Sequence, residues 1–218
     1  LVKRIGFQVQ PEGKAINYFD RPRGNVPNNY LEAAWLVLRL WKATGDERFL
    51  DHLGGLLDFV AAVQLPSGEL PYVIESPYER GRKHYLCYQY NAFQFLKLAW
   101  CAALKPGTRA DDILPPLARF LAQGVTPRGA SRAGCSRAKP EVDYYTAVLA
   151  AALREADELG LVPLRDLSDR CYARVLDRQR PDGSFAYSTG DYGFFRDSRS
   201  YPRPLAMTLF HLLYPSCG

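Results

Sequence analysis

The nine residues QRPDGSFAY at 179–187 decide how the chain is interpreted, because their form recurs along it. A glutamine is followed by a glycine and then by an aromatic residue. QLPSGELPY at 64–72 has the same form, QPEGKAINY at 10–18 is a looser copy, and QGVTPRGAS at 123–131 is a weaker one with a wider gap between glutamine and glycine. The copies begin 54, 59 and 56 residues apart. A near-constant period of this length is typical of a structural repeat.

The segments between these copies have helical spacing. Seven helices are predicted, at 28–43, 46–63, 86–104, 111–122, 141–159, 166–178 and 203–214. The first, third and last are apolar on nearly all sides, which predicts burial on most of their surface. The second and fourth carry charged residues on one face, as outer helices do. Asp46 is the predicted N-cap of the second helix. Pro115 and Pro116 restrict the fourth, because prolines are tolerated only near a first turn.

No segment shows the alternating polarity of a strand, so the sequence predicts an all-α chain of about seven main helices. The repeated copies are interpreted as hinges from an outer to an inner helix. Glycine turns the chain with a positive φ at little cost, and the glutamine side chain bonds exposed backbone at the turn. Each unit then has one inner and one outer helix and cannot bury the inner helix alone. The predicted architecture is a series of helical hairpins.

Composition excludes several classes of protein. No apolar run approaches the roughly 20 residues of a membrane span, so no membrane partner is expected. The five cysteines are widely spaced, with no CxxC and no Cys/His cluster, so neither a metal nor another cofactor is predicted. Scattered thiols favour a reducing compartment, and a cytoplasmic location is predicted. The sequence pI near 8.9 would suit nucleic acid, but no recognition motif is present and none is expected as partner.

The positive charge lies in the connections between helices. Ranges 3–23, 75–85, 126–143 and 189–203 together carry a net charge of +7, whereas the whole chain carries +5. Loops of this kind indicate an anionic ligand, although solvated loops also hold charge for solubility alone. The sequence therefore predicts an anionic small molecule or acidic saccharide as partner.

Together, these features resemble the α/α-toroid superfamily. The phrase KATGDERFLDHL at 42–53 is similar to the end of an inner helix in six-hairpin glycosidases, polysaccharide lyases and sugar epimerases. The Gln64/Gly68 and Gln179/Gly183 pairs resemble the repeats of terpenoid cyclases, the second with Phe185 as its aromatic residue. The acidic DxDD motif of terpene cyclases is absent, as is the Cys/His zinc set of prenyltransferases and lanthionine cyclases.

The resemblance implies a partial or incomplete toroid. A closed toroid of six hairpins needs two helices for each hairpin, and only seven helices are predicted here. We therefore expect one toroid-like domain over residues 1–218, belonging to a larger chain or assembly. Self-association or a flanking helical domain would then complete the toroid.

In a toroid, the inner helices line a cavity, and the loops that follow the hinges form its mouth. His84 is the candidate general base for removing a proton next to a uronate carboxylate, with Tyr85 as the acid. An alternative is a glycosidase carboxylate pair of Glu79 with Asp191. The candidate ligand-binding residues are Glu32, Asn91, Arg80, Arg82, Tyr88, Tyr192, Arg196, Arg199 and Tyr201.

Each candidate also has a structural interpretation. The arginines can pair with acidic residues of neighbouring loops, the tyrosines can pack beneath long connections, and Glu32 and Asn91 can satisfy nearby backbone. His52 and His211 are expected to be structural. Three functions stay open: an acidic-saccharide lyase, hydrolase or epimerase, an isoprenoid or terpenoid enzyme module, and a non-catalytic binding or assembly domain.

Overall fold

The computed structural model describes residues 5–17, 25–77, 79–132, 134–135, 142–186, 188–191 and 195–214, with the side chains of 188–191 and 195–197 excepted. Its helices are α1 Pro27–Thr44, α2 Leu53–Val63, α3 Cys87–Leu104, α4 Ala110–Ala122, α5 Asp143–Glu158, α6 Arg165–Asp177 and α7 Pro202–Leu212. A 3₁₀ helix, Glu47–His52, precedes α2. None of the described helices is both long enough and apolar enough to cross a membrane.

The seven predicted helices are confirmed, with most of their ends close to the prediction. Pro27 begins α1, where its missing N–H costs nothing. Gly45 ends α1 in the left-handed conformation and donates its N–H to the Trp41 carbonyl. The helix predicted over 46–63 is divided into the 3₁₀ helix and α2; Asp46 caps the 3₁₀ helix by accepting a hydrogen bond from the Arg48 N–H at 3.0 Å, and it does not cap α2. The helical pattern of the sequence therefore sets most of the fold.

The all-α prediction is confirmed, and the described residues also contain two short antiparallel pairs of strands that the sequence did not predict. Antiparallel strands β1 Phe7–Gln10 and β2 Gly13–Ile16 form a hairpin, and β3 Ser188–Asp191 pairs with β4 Phe195–Asp197. These strands have only three or four residues, too few to show an alternating pattern against the surrounding loops. The copy at 10–18 is therefore the turn of a hairpin and does not end an outer helix.

The position of the two prolines in α4 also differs from the prediction. The helix begins at Ala110, so Pro115 and Pro116 lie beyond its first turn. Proline has no N–H, so the carbonyls of Asp111 and Asp112 receive no helical hydrogen bond from them. Both aspartates are exposed, which lets water satisfy these carbonyls. The helix therefore tolerates the prolines at its solvent-facing start.

The chain divides into two compact units. The first contains residues 1–85 and 94–117, and the second contains 86–93 and 118–218. The single domain expected over 1–218 stays a prediction. In the first unit, α1 packs on α2 and the β1–β2 hairpin also packs on α2. Its core contains the fully buried side chains of Tyr30, Leu31, Leu38, Leu56 and Leu57.

In the second unit, α5 packs against both α6 and α7. Helix α5 is buried on nearly all sides, as an inner helix of a hairpin repeat should be, and α6 is amphipathic. Cys171 of α6 belongs to this core, and burial raises the pKa of its thiol to about 12. Cys101 in the first unit has a pKa raised to about 12 for the same reason. These two thiols act as small core residues, as the sequence suggested.

Three hinges share one backbone turn. At the first, the N–H of Leu65 donates to the Glu69 carbonyl and the N–H of Gly68 donates to the Leu65 carbonyl. The same two bonds recur at 126–130 and at 180–184. Gly68, Gly129 and Gly183 have φ of 90°, 78° and 81°, so all three need the left-handed conformation that favours glycine.

The predicted role of the hinge glutamine is confirmed at two hinges. Gln64 Nε2 donates to the Gly68 carbonyl at 2.9 Å, and Gln179 Nε2 donates to the Gly183 carbonyl at 3.1 Å. Gln123 is not equivalent to them. Its amide reaches back to the Arg119 carbonyl, and Val125 takes the hinge position because the turn bonds begin at Thr126. This explains the wider spacing of that copy.

His211 of α7 gives the second unit a pH-dependent stability. Burial lowers the pKa of its imidazole to about 4, while Nδ1 donates to the Met207 carbonyl at 2.6 Å. The unfolded chain therefore takes up this proton first, near the ordinary pKa of about 6.5. Stability from this group is complete above pH 6.5 and declines as the pH falls towards 4, by about 3 kcal/mol. Urea unfolding of the parent and of His211→Gln between pH 7 and pH 4 measures this loss of stability. The free energy of unfolding should fall less steeply with decreasing pH in the variant than in the parent. An identical pH dependence in both proteins would show that His211 is not the group responsible.

Candidate functional site

The loop that follows the first hinge holds an imidazole–carboxylate pair. His84 Nδ1 lies 2.8 Å from Glu69 Oε2. The Glu69 side chain is 2% exposed and the His84 side chain is 55% exposed. A carboxylate accepts from an N–H, so the pair favours the tautomer with the proton on Nδ1. The opposite nitrogen, Nε2, is then an acceptor on an exposed ring. This is the arrangement of an oriented general base.

A short backbone ladder holds the loop in place. Val73 and Arg82 exchange both backbone hydrogen bonds, at 2.9 and 2.8 Å, and the Tyr72 N–H donates to the Lys83 carbonyl at 3.0 Å. The Ile74 N–H donates to the Asn25 carbonyl at 2.7 Å. His84 therefore follows directly after a paired segment, while Glu69 directly follows the hinge glycine. Fixed backbone on both sides keeps the two side chains together.

Aromatic and cationic groups accompany His84. The rings of Tyr72 and Tyr85 lie 4.6 Å apart, and the Arg82 guanidinium carbon lies 4.1 Å from the centre of the Tyr85 ring. A cation over an aromatic face is a favourable contact that leaves the guanidinium edges available to other groups. The structure thus brings together three predicted site residues, His84, Tyr85 and Arg82.

Glu79 and Arg80 lie at the far end of the same loop and are exposed. The N–H of Ser76 donates to the Glu79 carbonyl at 3.0 Å, which places Glu79 in a tight turn. The partner expected for its carboxylate pair was Asp191, whose side chain lies outside the described residues. The glycosidase pair therefore stays a prediction.

The second unit contains a cavity of about 400 Å³. It is formed at the beginnings of the inner helices α3, α5 and α7. The lining residues are Leu86, Gln89, Tyr90, Tyr144, Tyr145, Tyr201, Arg203, Pro204 and Met207. A cavity lined by inner helices, with loops at its mouth, was expected from the sequence, and the described part of the second unit contains a cavity at the starts of such helices.

Two polar side chains in the cavity wall differ in their exposure and in the chemistry they offer a ligand. Gln89 is 6% exposed, and its Oε1 accepts no hydrogen bond from the described part of the chain. Such an atom favours a ligand that brings hydrogen-bond donors. Arg203 is exposed in the first turn of α7 and supplies a cation at the cavity wall. The cavity therefore combines tyrosine rings, one buried acceptor and one cation.

The beginning of α5 is held by an ion pair. Asp143, the first residue of α5, accepts a hydrogen bond from Arg178 Nε, and its side chain is 3% exposed. A carboxylate at a helix N-terminus also interacts favourably with the helix dipole. This pair fixes the helical turn that carries Tyr144 and Tyr145, whose rings touch edge to face at 4.5 Å. The tyrosines are thereby positioned in the cavity wall.

Leu86 carries backbone strain next to the cavity. Its φ of 43° is in the left-handed region, where a bulky residue pays of order 1–3 kcal/mol. The Leu86 carbonyl nevertheless accepts from the Tyr90 N–H at 3.1 Å as α3 begins. Strain of this kind persists where surrounding contacts determine the conformation, and it is frequent at ligand sites.

Three predicted ligand-binding residues are accounted for by protein contacts. Tyr88 is buried, its ring stacks on Phe120 at 5.0 Å, and it packs against Gly124. Asn91 is also buried and donates to the Cys87 carbonyl at 2.9 Å. Glu32 is exposed and forms an ion pair with Lys97 at 3.3 Å. These residues therefore make packing or pairing contacts within the protein, and their predicted role in ligand binding stays a prediction.

The last loop is described only in part. Tyr192 lies outside the described residues, as do the side chains of Asp191 and Arg196. Arg199 is exposed, with its guanidinium carbon 5.2 Å from the centre of the Tyr201 ring. Tyr201 is the one predicted ligand-binding residue that lines the cavity among those whose side chains are described.

Sequence reasoning missed Glu69, Gln89, Tyr144 and Tyr145 as site residues. Glu69 occupies the position directly after the hinge glycine, where the other hinges have alanine and serine. An acidic residue directly after a hinge glycine was the feature of the sequence that could have identified Glu69 as a site residue. The other three lie in the first turns of the helices predicted over 86–104 and 141–159, where polar and aromatic side chains are candidates for a cavity wall.

Comparison with solved structures identifies the fold. The chain is similar to a polysaccharide lyase, with a TM-score of 0.65 and 14% identity over 86% of this chain and 59% of that one. It is similar to a family 105 glycoside hydrolase of C. acetobutylicum, with a TM-score of 0.68 and 14% identity over 90% of this chain and 66% of that one. A third similar structure is the cellobiose 2-epimerase of Spirochaeta thermophila, with a TM-score of 0.67 and 12% identity over 96% of this chain and 59% of that one.

These likenesses show that the chain has the helical-hairpin fold of the α/α toroids, as the sequence predicted. At such low identity they concern the fold alone. No protein-family model and no curated protein matches the sequence. The chain spans 59–66% of the length of the solved structures just described.

Proposed function

We propose that this chain binds an acidic saccharide and acts on it. The observation that carries the proposal is the cavity of about 400 Å³ in the second unit. Its tyrosine rings offer faces on which a sugar can stack. Its buried Gln89 Oε1 requires a donor, and a sugar is rich in hydroxyl donors. Arg203 offers the planar fork that binds a carboxylate with two hydrogen bonds.

The polar lining separates this proposal from the isoprenoid alternative. An isoprenoid chain needs an apolar cavity and leaves buried polar groups unsatisfied. A cavity with Gln89 and Arg203 in its wall would be penalised for such a ligand, whereas it suits a hydroxylated anion. The structures similar to this chain include a polysaccharide lyase, a glycoside hydrolase and a sugar epimerase, which adds support at the level of the fold.

For the first unit taken by itself, we propose β-elimination from a uronate as the reaction class, and this rests on the His84–Glu69 pair. His84 Nε2 removes the proton from C5, next to the sugar carboxylate, and an enolate forms. The electron pair then makes the C4=C5 double bond as the C4–O bond breaks. Tyr85 protonates the departing oxygen, and Glu69 stabilises the protonated imidazole of His84. An exposed, oriented base is the feature that separates this proposal from a non-catalytic binding domain.

A cytoplasmic location is part of the same proposal. The buried thiols of Cys101 and Cys171 support it, because thiols of this kind persist in reducing compartments. Measurement of the chain's activity in a cytoplasmic fraction would test this directly.

Loss of the cavity cation is expected to weaken saccharide binding. Arg203→Met keeps most of the side-chain volume and removes the charge, so an oligogalacturonate should bind at least about tenfold more weakly. A thermal-shift titration with oligogalacturonate and with a neutral oligosaccharide of equal length measures this. Arg48→Met is the control, because Arg48 pairs with Asp46 at the surface of the first unit. Equal binding by the parent and Arg203→Met would overturn the assignment of the cavity.

A further inference from the structure

Two cysteines of the second unit lie close together. The Sγ atoms of Cys87 and Cys135 are within 4.8 Å of each other, and both side chains are thiols in this structure. Cys87 is buried at the first position of α3, whereas Cys135 is exposed in the connection between α4 and α5. The fold therefore places a buried thiol beside an exposed one that is distant in sequence.

A series of contacts joins the two cysteines within this unit. Tyr88 directly follows Cys87, and a Cβ built on Gly124 would lie 2.4 Å from Cδ1 of the Tyr88 ring. The ring thus lies directly on the Gly124 backbone. The Gly124 carbonyl accepts a hydrogen bond from the Arg132 N–H at 2.8 Å, and Arg132 lies three residues before Cys135. The packing of α3 on the third hinge therefore sets the distance between the thiols.

Further hydrogen bonds fix the backbone near each thiol. Asn91 Nδ2 donates to the Cys87 carbonyl at 2.9 Å inside the first turns of α3. Ser131 is buried, and its N–H donates to Thr146 Oγ1 of α5 at 3.0 Å. The two cysteines are therefore attached to well-packed backbone, so their closeness is a property of the folded unit.

The exposed thiol differs in chemistry from other thiols of the chain. Cys101 and Cys171 are buried, and burial raises the pKa of each to about 12, which keeps them protonated and unreactive. Cys135 is exposed, and its sequence neighbours include Arg132 and Arg137. Nearby cations favour the reactive thiolate. An accessible thiol beside a second thiol is the arrangement of a redox-sensitive cysteine with its resolving partner.

We propose that Cys135 is a site of oxidation by hydrogen peroxide and that Cys87 resolves the product as a disulfide. The Cys135 thiolate attacks one peroxide oxygen, so an S–O bond forms, the O–O bond breaks, and the departing hydroxide takes up the thiol proton to give water. The Cys87 sulfur then attacks the sulfenic sulfur. The S–S bond forms, the S–O bond breaks, and hydroxide leaves with the Cys87 proton as a second water. The two sulfurs together lose the two electrons that the peroxide gains.

The disulfide would act on the start of α3. An S–S bond is about 2 Å long, and rotation of the exposed Cys135 side chain between its rotamers can bring the sulfurs to that distance. The bond ties the first turn of α3, which supplies Gln89 and Tyr90 to the cavity wall, to the connection before α5. It also restricts the unfolded chain and so stabilises the fold. In a reducing compartment such a disulfide forms transiently, as redox-sensing disulfides do.

Peptide mapping after oxidation tests the proposal. The 218-residue chain is treated with a small excess of hydrogen peroxide, its remaining thiols are blocked with iodoacetamide, and it is digested with trypsin without reduction. Because trypsin cleaves after lysine and arginine, we expect the peptide 84–97 to be joined to the peptide 133–137. The oxidised chain should also unfold at least about 5 °C higher than the reduced chain. A thiol reductant should reverse both changes.

Single variants assign the two steps. Cys135→Ser, at an exposed position, should abolish both the joined peptide and the rise in unfolding temperature. Cys87→Ser should abolish them too but leave a sulfenic acid on Cys135, which dimedone labels. Cys217→Ser is the matched control, because this third thiol lies outside the described residues and has no part in the proposal. It should leave both changes intact.

Each outcome decides the proposal. A joined peptide that is lost in Cys135→Ser and kept in Cys217→Ser supports it. Thiols that stay unmodified, a Cys135 sulfinic acid without a joined peptide, or a disulfide to Cys217 would overturn it. A zinc ion that co-purifies with the chain and is lost in Cys135→Ser would assign the thiols to a metal and also overturn it. None of these readouts depends on saccharide binding.

Discussion

Replacing His84 with glutamine is expected to lower the turnover of an acidic oligosaccharide by about a thousandfold, with little change in KM. Glutamine keeps the polar character of the side chain but cannot accept and release the C5 proton. The rate is measured from the ultraviolet absorbance of the conjugated C4=C5 double bond that β-elimination creates. Since the His84 ring is more than half exposed, its loss should leave the fold intact.

Glu69→Gln separates the orienting role from the catalytic one. The amide occupies the same space but no longer stabilises the protonated imidazole, so turnover should fall about a hundredfold. His52→Gln is the matched control, because His52 stacks on Phe7 in the first unit and has no proposed catalytic role. Full activity in His84→Gln would remove it as the base. New reducing ends without new absorbance would show hydrolysis in place of elimination.

The second large effect concerns stability. Gly68→Ala is expected to lower the free energy of unfolding by about 4 kcal/mol. The alanine must adopt a φ of 90°, and its Cβ would lie 2.1 Å from the Pro116 carbonyl oxygen. The left-handed conformation accounts for about 1–2 kcal/mol of this loss, and the overlap with α4 accounts for the rest. Urea denaturation measures the difference.

Two glycines provide controls for that prediction. Gly45 has φ of 70° with nothing within 4 Å of a built Cβ, and Gly183 has only its own Gln179 near it. Gly45→Ala and Gly183→Ala should therefore each cost about 1–2 kcal/mol, the conformational part alone. A loss in Gly68→Ala no larger than in these controls would show that the glycine does not hold the next outer helix.

The helical pattern was readable from the sequence because apolar spacing and hinge residues agreed at each repeat. Glycine at positive φ and glutamine bonded to the turn were both predictable from local chemistry. The β1–β2 hairpin was not, because four-residue strands carry too little pattern. The close approach of Gly13 to the Gly55 carbonyl oxygen of α2 was also hidden, because it depends on tertiary packing that no local pattern encodes.

The candidate site was predictable only in part. A histidine in a charged loop marked His84, but its buried partner Glu69 lies 15 residues earlier and is joined to it by the fold. Tyr88 and Asn91 had suitable chemistry and are buried in protein contacts, so their role in ligand binding stays a prediction. Conversely, Gln89 and Tyr145 become cavity residues because the first turns of separate helices meet. The spacing of residues predicts which side chains share one face of a helix. Which helices contact each other depends on tertiary packing, and the spacing does not predict it.

Whether the chain binds an acidic saccharide is tested most directly by isothermal titration calorimetry. The unmodified chain is titrated with an oligogalacturonate and with its carboxyl-reduced, neutral counterpart. The two ligands share length and hydroxyl groups and differ in charge. We expect the acidic form to bind at least about tenfold more tightly than the neutral form, a difference of about 1.4 kcal/mol in binding free energy. Equal affinities, or binding of the neutral form alone, would contradict it.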